Sequence, residues 1–295
     1  MSKADLHAHL ATGTTNVCQA WALTRRDGVV MGFTDHDRDL SFGEIVFRAN
    51  TGLTARALQQ GTGLAVDNTE AMGALSDGAI SEADILAGRY DGAEIRVWLV
   101  NWKDVADRQM LFRGSLGEIT RAGGAFNAEL RGLAERLNVP QGRIYHRLCG
   151  AALGDAACGF DLTLPGYAAE RSVKAVSEGA LLTLSGMAAF EDRWFERGRL
   201  TVLTGAAAGL TVMIKADRAE AQGRRSVELW QAPGAALVPG DQVRLEAGCD
   251  RRAETCLAKF NNFMNFRGFP HIPGEDWLSS YPSSASVNDG GSLQR

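Results

Sequence analysis

The stretch Cys18-Gln19-Ala20-Trp21-Ala22-Leu23-Thr24-Arg25-Arg26-Asp27-Gly28-Val29-Val30-Met31-Gly32-Phe33 carries the first decision about the fold. Cys18, Trp21 and Leu23 lie on one side of Asp27-Gly28 and the apolar run Val29 to Phe33 on the other. Alternating apolar residues around a Gly-containing turn spell a β-hairpin. Working outward, Ser41 to Arg48 adds a third strand, Leu64 to Val66 a fourth and Glu94 to Trp102 a fifth. Leu111 to Thr120 and Ala125 to Leu130 form a second hairpin around Gly123-Gly124. Between these strands, Ser81 followed by Asp84 starts a short helix and Gly88 stops it. Leu133, Leu137, Ile144 and Leu148 are interrupted by Pro140, which favours two short helices over one long one. The residues up to about Leu10 form an arm or a short helix.

A Gly/Ala loop runs from Cys149 to about Gly166, and a second β-rich region follows. Its strands are Ser172 to Val176, Leu181 to Ser185, Arg199 to Thr204, Leu210 to Asp217, Arg225 to Leu229 and Gln242 to Glu246, the last entered through the turn Val238-Pro239-Gly240-Asp241. Cys256, Lys259, Phe260 and Phe263 fall at helical spacing, and Gly268 to Gly274 is a Pro-punctuated loop. The expectation is a mainly β chain, with barrel or sandwich domains and a few short helices. An N-terminal domain spans 1–165, a C-terminal domain 166–278, and a Ser-, Gly- and Asn-rich flexible tail 279–295.

At 295 residues the chain suits about two domains and needs no covalent staple merely to fold. Hydrophobic residues at 45% and charged residues at 22% place it among soluble globular proteins. With 31 Lys+Arg against 35 Asp+Glu, the net charge of −4 offers no general attraction for nucleic acid or an anionic membrane. No run approaches roughly 18 apolar residues, so no membrane span is expected. Met1 to Thr12 lacks a basic-then-apolar pattern, so neither is a signal peptide, and synthesis in the cytosol follows. Five cysteines in a reducing compartment argue against a disulfide framework and, if they share a purpose, for a metal or a cluster.

Three constellations compete for chemistry. Asp5-Leu6-His7-Ala8-His9 has the look of a metal-entry motif of amidohydrolases, in which two His on one strand face share an ion. No apolar strand precedes it and the remaining His residues sit at no ligand spacing, so a solvated arm is the better reading; a metal-dependent hydrolase using His7, His9 and Asp37 stays as an alternative. Thr34-Asp35-His36-Asp37-Arg38-Asp39 holds carboxylates and a His, but an acidic turn between strands gives the same string. No nucleophile elbow, phosphate loop or dinucleotide fingerprint is present. The third constellation is Cys149 with Cys158 and Cys249 with Cys256, each pair at a junction of loop and helix among polar neighbours. Zinc prefers tighter pairs, wider spacings suit a cuboidal cluster, and Arg251, Arg252 and Lys259 would offset thiolate charge. Spacing leaves this open against five buried core thiols.

The segment Gly248-Cys249-Asp250-Arg251-Arg252-Ala253-Glu254-Thr255-Cys256-Leu257-Ala258-Lys259-Phe260, running on to Asn265-Phe266-Arg267-Gly268-Phe269-Pro270-His271-Ile272-Pro273-Gly274, resembles the C-terminal signature of a phage and gene-transfer-agent tail hub family. Gly32-Phe33-Thr34-Asp35-His36-Asp37, Asp77-Gly78-Ala79-Ile80 and Gly88-Arg89-Tyr90-Asp91-Gly92-Ala93-Glu94 resemble its N-terminal companion domain. The likeness covers about residues 10 to 275, and members are similar to the minor tail protein L of lambda-like siphophages. The resemblance implies a non-enzymatic, homotrimeric baseplate hub, made in the bacterial cytoplasm and carried in the tail of a virion or gene transfer agent particle. Its implied partners are the distal tail protein, the central tail tip or fibre protein and a tail-associated peptidase, with no specific nucleic acid. It also implies a [4Fe–4S] cluster on Cys149, Cys158, Cys249 and Cys256, joining the two β-rich domains, with a Cys₄ zinc site in the same role as the alternative. A cytosolic redox protein is a further competitor. Cys18 lies outside the motif and is expected to be a core thiol.

Overall fold

The computed structural model describes residues 3–49, 53–55, 68–74, 81–122, 125–137 and 142–272. The chain divides into two compact units, one of Met1–Pro140 with Gly205–Leu210 and Pro233–Leu237, the other of Gln141–Thr204, Thr211–Ala232 and Val238–Arg295. By its contacts, segment 141–165 groups with the second unit.

The first unit opens with helix α1 (Lys3–Ala11). Strands β1 (Val17–Thr24), β2 (Val30–Thr34), β3 (Leu40–Phe42), β4 (Ile45–Arg48), β5 (Leu53–Ala55) and β6 (Asn68–Ala74) follow. Then come helix α2 (Glu82–Leu86) and strands β7 (Glu94–Asn101), β8 (Arg108–Ala122) and β9 (Ala125–Gly132). The strands form a nine-stranded sheet in the order β3-β4-β2-β1-β7-β8-β9-β6-β5. The opening hairpin forms as expected, with Trp21 opposite Phe33 and Leu23 opposite Met31. Gly28 supplies φ +87° in its turn, where an L side chain would be strained, and the Asp27 carboxylate accepts the Val29 N–H at 3.3 Å.

Period-two alternation explains why this sheet has a core on both faces. Trp21, Leu23, Ile95 and Val97 enter one buried cluster with Phe33 and Tyr90. Ala20, Ala22, Trp98 and Val100 enter the other with Phe42 and Phe47. Helix α2 lies where Ser81 and Gly88 place it: Ser81 Oγ accepts the Asp84 N–H at 3.1 Å, and Gly88 ends the turn at φ +69°.

The strand expected at Leu64 to Val66 and the turn at Gly123-Gly124 lie outside the described residues, as does the tail 279–295. The two helices expected between Leu133 and Leu148 are not formed. A short 3₁₀ turn spans Leu133–Leu137, and residues 142–148 carry no helix. Gly142 at φ +129° is incompatible with a helix, and the backbone beyond it bonds to a distant segment instead. Phe269 N–H donates to the His146 carbonyl at 2.9 Å and Gly150 N–H to that of Arg267 at 3.2 Å.

The second unit contains a closed barrel of β10 (Ala168–Ser177), β11 (Leu181–Leu184), β12 (Arg199–Val202), β13 (Thr211–Ala219), β14 (Arg225–Leu229) and β15 (Gln242–Glu246), in the order β10-β11-β14-β13-β12-β15. The ring closes because β10 pairs twice: Ala168–Ser172 with β15 and Val173–Ser177 with β11, the second pairing carrying a bulge near Lys174. The charged Glu170 and Arg171 in its first half hid that half from a search for apolar runs. Leu182, Leu184, Leu200, Ile214, Val243 and Leu245 fill the barrel, and each contributes about 1.5–3 kcal/mol by leaving water. Among the described residues no helix is long and apolar enough to cross a membrane. Beyond β15 comes helix α3 (Ala253–Ala258), then a 3₁₀ turn at Phe263–Asn265.

Candidate metal centre

Cys149, Cys158, Cys249 and Cys256 all belong to the second unit and line one small cavity, together with Arg251, Arg252, Phe260, Asn262 and Asn265. Cys149 and Cys256 are buried, Cys158 and Cys249 half-buried, and all are free thiols. Backbone contacts build the cage. Cys149 N–H donates to the Arg251 carbonyl at 2.8 Å. Arg251 adopts φ +65°, a strained conformation for a residue with a Cβ, and its own N–H lies 3.4 Å from Cys249 Sγ. Arg267 N–H approaches Cys149 Sγ at 3.4 Å. The Asp155 carboxylate accepts the Cys158 N–H at 2.7 Å, and Asn262 Nδ2 reaches Cys158 Sγ at 3.5 Å. Three of the four sulfurs therefore face N–H donors, the arrangement that supports a charged sulfur ligand.

Two glycines permit this convergence. A Cβ on Gly248 would sit 1.7 Å from the Glu196 carbonyl oxygen, and one on Gly268 would sit 2.6 Å from the Leu148 carbonyl. Only glycine lets the chain pass so close just before Cys249 and beside Cys149. Lys259 Nζ donates to the carbonyls of Trp194 and Gly248, holding the same approach from the other side.

Burial, reinforced by its thiol neighbours, raises the Cys256 pKa to about 11. Cys249 is also raised, chiefly by burial and against the Arg251 N–H. Four thiolates do not share such a space at neutral pH without positive charge among them, so loading must displace protons. Among the described residues no three His, Cys, Asp or Glu side chains are gathered tightly enough to hold a single metal ion. Zinc needs its four sulfurs at about 2.3 Å from one point. Four thiols on one cavity, three of them faced by N–H donors, are the chemistry of a thiolate-bound metal group.

The other candidates are not brought together. His7 and His9 lie on α1 two residues apart, on nearly opposite sides of a helix that turns about 100° per residue, and His9 Nε2 accepts the Asn16 N–H at 2.9 Å. Asp37 is exposed in the turn after β2, beside His36 Nδ1 at 3.1 Å. Cys18 is a buried thiol in the sheet, with a pKa raised to about 11 by burial. An unfolded thiol ionises near pH 8.5, so the stability Cys18 contributes is present below that pH and lost as pH rises toward 11. Cys18→Ala should flatten the fall in melting temperature of the chain between pH 8.5 and 11. An unchanged alkaline limb would show that Cys18 does not contribute to it.

Fold and site define a mainly β protein with a closed barrel and a four-cysteine cavity. Residues 3–161 match the family described as baseplate hub protein, N-terminal attachment domain, and residues 193–276 match a phage conserved hypothetical protein, BR0599. One solved structure, a chain of the virion of a native gene transfer agent particle, is 60% identical, with a TM-score of 0.91 over 98% of this chain and 99% of that one. No curated protein matches. The chain belongs to the baseplate hub protein family.

The first matched region holds Cys149 and Cys158, the second Cys249 and Cys256. The four cysteines stand out in the sequence by residue type, but their spacing left a bound group open against buried core thiols, and the resemblance singled them out as a set. Asn262, Gly248 and Gly268 were not identified as supports, because their roles depend on which distant backbone they meet.

Proposed function

We propose that the chain is the structural hub of the baseplate in a siphophage-like particle or gene transfer agent. As a homotrimer it links the distal tail ring to the central host-contacting tip protein, beside a tail-associated peptidase, and it performs no catalysis. Cys149, Cys158, Cys249 and Cys256 hold a [4Fe–4S] cluster that serves as a cross-link. The observation that carries this reading is that two separately matched regions each supply one cysteine pair, and both pairs line one cavity. When bound, the cluster supplies four iron–sulfur bonds between segments far apart in sequence. The protein's part is to hold the sulfurs: the Arg251 and Arg267 N–H groups and the Asn262 amide face them, and the cationic Arg251 and Arg252 line the same space. The exposed Ile144, Tyr145 and Met264 suit a chain that works in contact with other proteins.

Iron, acid-labile sulfide and the optical spectrum of protein purified without oxygen test the cluster, and light scattering tests the trimer. About four iron and four sulfide per chain are expected. One zinc per chain would keep the hub and change the group it holds. A folded chain with neither would remove the cross-link from the proposal.

A further inference from the structure

We infer that Asn262 is a positioning residue of the cysteine cage, one that fixes the Cys158 loop against the Cys256 helix and donates to the Cys158 sulfur. This rests on the reading that the four cysteines hold a cluster. The side-chain amide Nδ2 of Asn262 reaches both the Cys158 carbonyl, at 2.8 Å, and its Sγ, at 3.5 Å. Its backbone N–H donates to the Cys256 carbonyl at 3.1 Å. One residue therefore grips two of the four cysteines, which stand 98 positions apart in the chain.

The amide is itself oriented. Asn262 Oδ1 accepts from Asn265 Nδ2 at 2.8 Å, which fixes the oxygen side and turns the NH₂ side toward Cys158. Asn265 N–H closes the same turn on the Asn262 carbonyl at 3.0 Å. The preceding Asn261 takes φ +46°, a left-handed conformation that asparagine tolerates better than most residues, and this swings the chain from the end of α3 back over the cavity. Aspartate has the shape of asparagine but no donor, and would place negative charge against a thiolate. Alanine lacks the reach. The requirement is thus for a short carboxamide: two donors for one cysteine and one acceptor for the residue that aims them.

The test compares the wild-type chain with Asn262→Asp and Asn262→Ala, all purified without oxygen. Three quantities are measured: the rate of iron release to a chelator followed by loss of cluster absorption, the reduction midpoint, and the melting temperature of the metal-free chain. Release should be about 10–100-fold faster in both variants, the usual consequence of losing a group that supports a metal ligand. The midpoint should move to more negative potential, because a sulfur that loses an N–H donor stabilises the reduced, more negative cluster less well. If Asn262→Ala does not fold, Asn262→Ser, too short to span both Cys158 atoms, should give the same shifts. Unchanged release and midpoint in folded variants would overturn the role of Asn262 alone. So would a lower metal-free melting temperature with no midpoint shift, since that marks a merely structural contact. A wild-type chain that holds no iron would overturn the cluster reading and this inference together.

Discussion

Cys256→Ser is expected to abolish cluster retention and to cost the loaded protein about 4–5 kcal/mol, while leaving the metal-free chain almost unchanged. The magnitude comes from chain entropy. A cluster joining Cys158 to Cys249 closes a loop across the 90 residues between them, and by analogy with a disulfide such a closure removes that much freedom from the unfolded chain. Affinity for the group is also folding energy, because the unfolded chain offers no assembled site. The metal-free comparison isolates the effect. Without a cluster Cys256 is a neutral buried thiol with a pKa raised to about 11, and exchange for a hydroxyl of nearly equal size disturbs little. Denaturant midpoints of loaded and metal-free protein, with iron content measured on each, check both halves. Cys18→Ser serves as the control, since Cys18 belongs to the other unit and should leave the iron content at the wild-type value. A Cys256→Ser protein that keeps its iron, or that loses stability equally with and without it, would refute the cross-link.

The sequence is most legible where side chains alternate and least where the backbone meets a remote partner. All six barrel strands were found from short apolar runs, because Leu182, Leu200 and Val243 must point inward and their neighbours outward. The opening hairpin was equally plain, its turn demanding glycine at Gly28. The absent helix after Gly142 shows the limit. Ile144 and Leu148 stand at helical spacing, yet both are exposed and the segment spends its hydrogen bonds on residues 267–272, more than a hundred positions away. The site followed the same rule. Four cysteines announce themselves by residue type, whereas the packing of the segment that carries Cys149 and Cys158 within the second unit does not. No local pattern records that choice, which is made by contacts such as the Cys149 N–H to the Arg251 carbonyl.

Arg225→Ala should destabilise the metal-free chain by about 3–5 kcal/mol, the largest loss expected from any single change away from the cysteines. Arg225 and Asp217 are 1% and 0% exposed in the barrel, and Arg225 Nη1 meets Asp217 Oδ2 at 2.7 Å. Removing one partner strands the other's polar group in a dry interior, which costs more than the pair gains. Arg225 does more than neutralise the carboxylate. Its Nη2 donates to the carbonyls of Phe190 and Glu191 at 2.7 and 2.9 Å, and Asp217 Oδ2 accepts the Phe195 N–H at 2.7 Å. The pair thus pins loop 190–195 to the barrel, and the Trp194 carbonyl in that loop receives both Gly248 N–H and Lys259 Nζ. Through Gly248 the loop sets the position of Cys249, so Arg225→Ala should also hasten iron loss from loaded protein. Asp217→Asn should cost less, about 1.5–3 kcal/mol. Burial disfavours the charged Asp217 carboxylate and raises its pKa, and an amide oxygen still accepts from Phe195 and Arg225. Urea midpoints of the metal-free variants give the order. Arg225→Ala within 1 kcal/mol of wild type, or less harmful than Asp217→Asn, would mean that the loop is held by its packing alone and that the buried pair does not support the cage.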